Sequence, residues 1–206
     1  MSSGRGGAST AATIATADAL TRFTRDVFQR AGMSEVHAAT VADVLVWASL
    51  RGVDSHGVAR IPMYVRLIDD GDLNLAPTIA VQTETVASVL FDADRAAGPI
   101  AMTTATRAAV RKAGDAGIGM ALVRATTHTA ALGYYTLMAA QDGSRLDGED
   151  TLSPAPGVVE VLMPGERGGR AYGERAARGI PIPPAIVQEL RVVADRFGVP
   201  MFPSAP

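Results

Sequence analysis

"ETVASVLFDADRAAGPIAMTTATRAAVRKAGDAGIGMALVRAT", residues 84–126, is the stretch that decides the fold. It opens on an apolar, β-branched run around residues 86–91 that suits a strand. Pro99 stands where the first turn of a helix tolerates proline, and Gly117 where a helix ends, so the residues between them read as one helix. "IGMALVRAT" follows as a second buried strand around 118–123, and "ALGYYTLMAAQDG" as another short helix. Strand, helix, strand and helix in that order predict an α/β layer.

Working back toward the N-terminus, the grammar is purely helical. Thr16 caps "ADALTRFTRDVFQRAG", with Leu20, Phe23, Val27 and Phe28 on one face and Gly32 closing it. Ser34 caps "EVHAATVADVLVWASLRG", with Val36, Val41, Val44, Leu45 and Ala48 expected inward and Gly52 at the end. The two form a helical hairpin, and a third helix starts at Pro62 and ends near Gly71. Residues 1–15 are small and polar and are expected to be a disordered tail.

Working forward, the organisation breaks after Gly143. "SRLDGEDTLSPAPG" is charged, rich in proline and glycine, and without apolar period, so it reads as a linker. A short strand is expected at 158–163, then the glycine- and arginine-rich loop "PGERGGR", then a final helix with Ile186, Leu190, Val193 and Phe197 inward. The resulting map is a tail (1–15), a helical region (16–75), a partial α/β domain (76–143), a linker (144–157) and a C-terminal strand, loop and helix (158–206). Three strands are about the fewest that make a sheet, and then only with helix cover.

Composition narrows the function. At 206 residues and 48% apolar, the chain is long and hydrophobic enough for a real core. A net charge of −2 offers no basic excess for a nucleic-acid backbone or an anionic membrane. With no cysteine there is no disulfide, thiolate metal site or cysteine nucleophile, which suits a cytoplasmic protein. The N-terminus lacks the apolar segment of a signal peptide, and no apolar run is long enough to span a bilayer.

Three histidines are candidates for proton chemistry. His37 lies mid-helix among alanines and threonines and reads as a surface residue. His56 lies in "RGVDSHGVAR" (51–60), between Ser55 and Gly57. Imidazole exchanges a proton near neutrality, a neighbouring hydroxyl can fix its tautomer, and Arg60 suits a carboxylate. A structural reading is also open, in which Asp54 and Ser55 stabilise a turn and His56 is merely exposed. His128, in "RATTHTAALGYY", follows the second strand at the edge where α/β folds place ligands, though the threonines around it could simply cap. "PGERGGR" could hold a phosphate on backbone amides and guanidinium groups. No G-x-G-x-x-G after a strand and no P-loop pattern is present, and no metal-ligand spacing is visible. Hydrolysis by Ser55 and His56 is disfavoured, because adjacent residues rarely orient as nucleophile and base.

Together, "RGVDSHGVARIPMYVRLIDDG", "AGDAGIGMALVRATTHTAALGYYTLMAAQDG" and "VLMPGERGGR" resemble the type 2 malate/L-lactate dehydrogenase family. That family also holds sulfolactate and ureidoglycolate dehydrogenases and the Δ1-piperideine-2-carboxylate and Δ1-pyrroline-2-carboxylate reductases. It lacks the usual dinucleotide fingerprint. The resemblance implies an NAD- or NADP-dependent oxidoreductase acting on a small carboxylate substrate, a 2-oxo acid or cyclic 2-imino acid. It implies that Ser55 belongs to a proton relay, that His56 donates the proton and that Arg60 holds the substrate carboxylate. His128, Thr129, Ala130, Ala131 and Leu132 would line the cofactor, with Gly165, Glu166 and Arg167 a later phosphate-side contact. In some members the histidine matching His128 is the acid/base instead. "HTAAL" looks most like the reductase branch. Relatives are typically oligomers. Where they carry a long central segment, this chain has only the 144–157 linker, so it resembles a member lacking its middle. The alternative is a non-catalytic interaction protein of the same ancestry, with apolar strand faces left uncovered.

Overall fold

The computed structural model describes residues 11–141 and 165–205; the strand expected at 158–163, the 144–157 linker and Pro164 lie outside them. Two helices lead: α1 (Ala17–Arg30) and α2 (Glu35–Leu50), packed on each other. Thr16 and Ser34 cap them as their sequences require, each side chain accepting from the backbone N–H three residues on. Leu20, Phe23, Val27 and Phe28 form the buried stripe of α1. In α2 the buried positions run from Ala38 through Val41, Val44 and Leu45 to Ser49, and Val36 is a correction: it is 72% exposed, in the first turn. Because α2 packs against several helices at once, its apolar surface is not confined to one stripe.

Two short 3-10 turns, Asp54–His56 and Val58–Arg60, link α2 to α3 (Ile61–Asp69). The α/β layer follows: β2 (Ala80–Glu84), β3 (Ser88–Ala96), α4 (Gly98–Ala116) and β4 (Met120–Thr126), then α5 (Gly133–Gln141). The sheet order is β2-β3-β4, with β2 antiparallel and β4 parallel to β3. Along β3 the period of two is plain: Val89, Phe91 and Ala93 are buried against α4, and the residues between them are not. Ala121 and Val123 of β4 join that face, which turns Met120 and Leu122 to the opposite side, where they stand 52% and 53% exposed.

The last elements are α6 (Glu166–Arg178), β5 (Ile180–Ile182) and α7 (Pro184–Phe197). In α7 Leu190 and Val193 are buried and Ile186 and Phe197 partly so, as their spacing predicts. Two expectations are corrected. The glycine-rich segment from Glu166 onward is helix, not loop, ended by Gly179 at φ 88°. Residues 1–10 of the expected tail lie outside the described residues, and beyond them a strand stands where disorder was expected: β1 (Thr13–Ala15) pairs antiparallel with β5, Ile14 opposite Pro181. One core joins α1, α2, α3, β5 and α7 to Ile100 of α4 and Tyr135 of α5, so the helical hairpin rests on the helix-covered sheet. The mixed α/β class is as predicted. Among the described residues no helix is long and apolar enough to cross a membrane.

Candidate active site

The segment after α2 folds back on the helix it leaves. Gly57 lies so close to Ser49 that an added Cβ would stand 2.1 Å from Ser49 Oγ. Only glycine fits there, and the contact leaves the Ser49 hydroxyl, 1% exposed, to accept from Val58 N–H at 3.1 Å. The preceding 3-10 turn presents Ser55 and His56 together, with Ser55 Oγ 2.9 Å from His56 Nδ1. Arg60 Nε donates to the Ser55 carbonyl oxygen. Asp54 is held from across the molecule, by a bidentate pair with Arg175 at 2.5 and 3.0 Å.

His128 is built by a different set of elements. At the end of β4 the Thr126 hydroxyl donates to the Ala96 carbonyl, and Gly98 N–H donates to Thr127 Oγ1 at 3.2 Å. The first residue of α4 thus sits on the loop, and a Cβ on Gly98 would stand 2.1 Å from the His128 carbonyl oxygen. Buried Tyr64 of α3 donates to that same oxygen at 2.7 Å, and Tyr135 donates to the Thr129 carbonyl at 2.7 Å. Ala130 takes φ 57°, a left-handed conformation uncommon for alanine, and its N–H donates to His128 Nδ1 at 3.2 Å. With Nδ1 accepting, the proton of a neutral His128 belongs on Nε2. Burial, then the nearby Arg60 and His56, hold the His128 pKa below its ordinary value, because all three disfavour a charged ring. Burial likewise raises the pKa of Tyr64, which stays a protonated donor.

The two histidine sites meet. The rings of His56 and His128 lie 5.4 Å apart between centres, with planes 28° from parallel. Beside them opens a cleft of about 970 Å³, and Ser55, His56, Ala130, Ala131, Leu132, Gly165 and Arg167 line it. Of the other expected site residues, Arg60, His128, Thr129 and Glu166 do not line the cleft; His128 backs it through its contact with His56. Gly165, Arg167 and Gly168 bring the N-terminal end of α6 to the wall.

Sequence reasoning missed Arg51 and Trp47, which also line the cleft. The Arg51 guanidinium lies 4.9 Å from the Trp47 ring and 5.5 Å from the Tyr172 ring. Its Nε is buried without a hydrogen-bond partner among the described residues, and the aromatic faces orient the group. The signal was present one residue before Gly52, within the segment already singled out. Among the described lining residues there are two arginines and no carboxylate, a balance that suits an anionic ligand.

Comparison with known proteins agrees with this architecture. A family model, malate/L-lactate dehydrogenase, matches residues 15–144. The chain is 38% identical over 149 residues to the malate dehydrogenase of Pyrococcus horikoshii, 70% of this chain and 41% of that one. It is 34% identical over 114 residues to ureidoglycolate dehydrogenase (NAD(+)) of Escherichia coli, 55% of this chain and 33% of that one. It therefore spans about two fifths or less of the curated relatives it matches. The solved P. horikoshii malate dehydrogenase superposes with a TM-score of 0.87 at 20% identity, covering 96% of this chain and 99% of that chain. That of Δ1-piperideine-2-carboxylate reductase from Pseudomonas syringae superposes at 0.58 and 27% identity, over 63% of this chain and 39% of that one. With the family pattern running through more than half of its length, the chain belongs to the malate/L-lactate dehydrogenase family.

Proposed function

We propose that this chain is a nicotinamide-dependent oxidoreductase that reduces a 2-oxo acid or a cyclic 2-imino acid, or oxidises the corresponding 2-hydroxy acid. The carrying observation is the cleft itself, where the Ser55–His56 pair faces a space bounded by Arg51 and Arg167 with no carboxylate in the described lining. Its volume is at the upper end of the roughly 300–1,000 Å³ usual for small-molecule and cofactor sites. The residues fit a dinucleotide. Ala130, Ala131 and Gly133 form a low wall, and the guanidinium groups with the positive end of α6 suit phosphates. A reduced nicotinamide bound there supplies the hydride that such a reduction needs. NAD is supported by the cofactor in the name of the ureidoglycolate relative, and NADP is the alternative.

The proton comes from this chain's own residues. His56 borders the cleft and has Nδ1 engaged by Ser55, which leaves Nε2 to give the proton to the substrate oxygen or nitrogen. As it does, the Ser55 hydroxyl passes its own proton to Nδ1 and takes one from solvent, so the ring stays neutral. His128, with Nδ1 turned to its own backbone and its ring behind His56, is better placed to support that ring than to replace it. Arg60 stands outside the cleft lining, with its Nη groups unpartnered among the described residues, so its use as the carboxylate anchor is drawn from the family resemblance.

A second reading, the non-catalytic family member, draws on a separate observation. Since 149 residues are 41% of the P. horikoshii relative, that protein is much longer than 206 residues. This chain spans 41% of that relative, which supports the reading of a member lacking its middle. The exposed Met120 and Leu122 are what such a loss would uncover, and they favour association with another chain. Titration with NADH and then NADPH, followed by nicotinamide fluorescence, separates the readings. Saturable micromolar binding, then turnover of pyruvate or piperideine-2-carboxylate, supports the oxidoreductase. No binding up to millimolar cofactor by the folded protein leaves the second reading.

A further inference from the structure

We propose that Arg175 is a positioning residue that sets the Ser55–His56 turn, acting through Asp54; the catalytic part of this inference rests on the function proposed above. The two partners come from distant parts of the chain. Arg175 is in the third turn of α6, and Asp54 is the first residue of the 3-10 turn that carries Ser55 and His56.

The contact is more than a surface ion pair. Arg175 Nη1 and Nη2 donate to the two Asp54 carboxylate oxygens at 2.5 and 3.0 Å, and Nη1 also donates to the Ser49 carbonyl oxygen at 2.5 Å. The Arg175 side chain is 17% exposed, unlike the solvated pair Glu174–Arg178 on the same helix, where both side chains are above 65%. A planar fork meeting a carboxylate at two points fixes direction as well as distance, which a lysine cannot do.

The geometry gives this clamp a purpose. Ser49 already holds the far side of the turn, through its hydroxyl on Val58 N–H and its fit against Gly57. Asp54 holds the near side, since its carbonyl accepts from Gly57 N–H at 3.2 Å and closes the turn around His56. Arg175 binds Ser49 and Asp54 at once. It therefore fixes the span between the end of α2 and the turn, and with it the plane in which His56 meets His128. The same helix supplies Arg167 and Gly168 to the cleft wall, so one element walls the cleft and aims the proton donor.

Three histidines make the test direct, because 1H–13C spectra of the full chain carry three Cε1–Hε1 signals, assigned by replacing each histidine in turn. In Arg175→Ala and in Asp54→Asn, the His56 and His128 signals are expected to shift or broaden while that of His37, on the opposite end of α2, stays in place. Arg175→Lys is expected to show the same pattern despite keeping the charge. If Arg175→Ala does not fold, the lysine variant alone decides. Unmoved His56 and His128 signals in the folded variants, or all three moving together, would overturn the proposal. In the enzyme, kcat is expected to drop about 10²-fold, as small misplacements do, with cofactor affinity unchanged. If no version of the chain turns over substrate, the functional reading fails while the spectra still decide the positioning.

Discussion

The imidazole of His56 rests against that of His128, ring centres 5.4 Å apart, although the two stand 72 positions apart in the chain. Each ring has its Nδ1 engaged by a local partner, the Ser55 hydroxyl for one and the Ala130 amide for the other. The pair is thus fixed in orientation from both sides before any ligand arrives.

His56→Ala should lower turnover by about 10²–10⁴-fold, the usual worth of a positioned acid, and leave the thermal midpoint near that of the parent, because the ring is only partly buried. Ser55→Ala should cost less, since Nε2 keeps its place. Steady-state rates beside melting curves check both. A rate for His56→Ala equal to the parent's would remove His56 from the proposed chemistry.

The lowered pKa of His128 links stability to acid. The folded protein holds the neutral ring, so this contribution is complete above the ordinary value of 6.5 and is lost as pH falls through the lower folded value. His128→Gln should flatten that part of the curve. Melting temperatures of parent and variant from pH 8 to pH 4.5 test it, and parallel curves would contradict the assignment.

Gly57→Ala and Gly98→Ala should both destabilise, by about 1–3 kcal/mol or more for an overpacked site, but only one should be rescued. At Gly57 the obstacle is the Ser49 hydroxyl, so adding Ser49→Ala should recover part of the loss. At Gly98 the obstacle is the His128 carbonyl and the Thr129 backbone, which no side-chain trimming removes. Denaturant midpoints of the single and double variants distinguish the two.

Arg167→Ala and Arg51→Ala should each weaken cofactor binding by about tenfold or more, the scale of a charge-assisted hydrogen bond, and reduce its dependence on salt. Fluorescence titrations at 0.05 and 0.5 M sodium chloride measure both effects. Full parental affinity in the double variant would place the phosphates elsewhere.

Much of this was readable from sequence, and the rest fails for identifiable reasons. Thr16, Ser34, Gly117 and the apolar spacing of α1 and α7 mark helices by local chemistry alone, and the apolar run at 86–91 marks β3, although the strand itself runs from Ser88 to Ala96. β2 is exposed at every residue, so it shows no alternation, and it forms only because β3 offers an edge. β1 and β5 are three residues each and have no pattern to detect. In α6 the glycines 168, 169 and 173 each cost about 1 kcal/mol of helix propensity, and docking through Arg175 opposes that cost. Ser55, His56 and the Ala130–Leu132 wall were legible because each is a short contiguous motif. Arg175 was not, because its partner lies 121 positions away.

The pairing of β1 with β5 also has a meaning in time. Residues 13–15 leave the ribosome about 165 residues before residues 180–182 do, which at ~5–20 residues per second is a wait of roughly ten to thirty seconds. Until then Ile14 has no strand to pair with, α6 is absent, and Asp54 has no guanidinium. The histidine turn therefore stays unbraced until α6 emerges, and closure at this site waits for that moment.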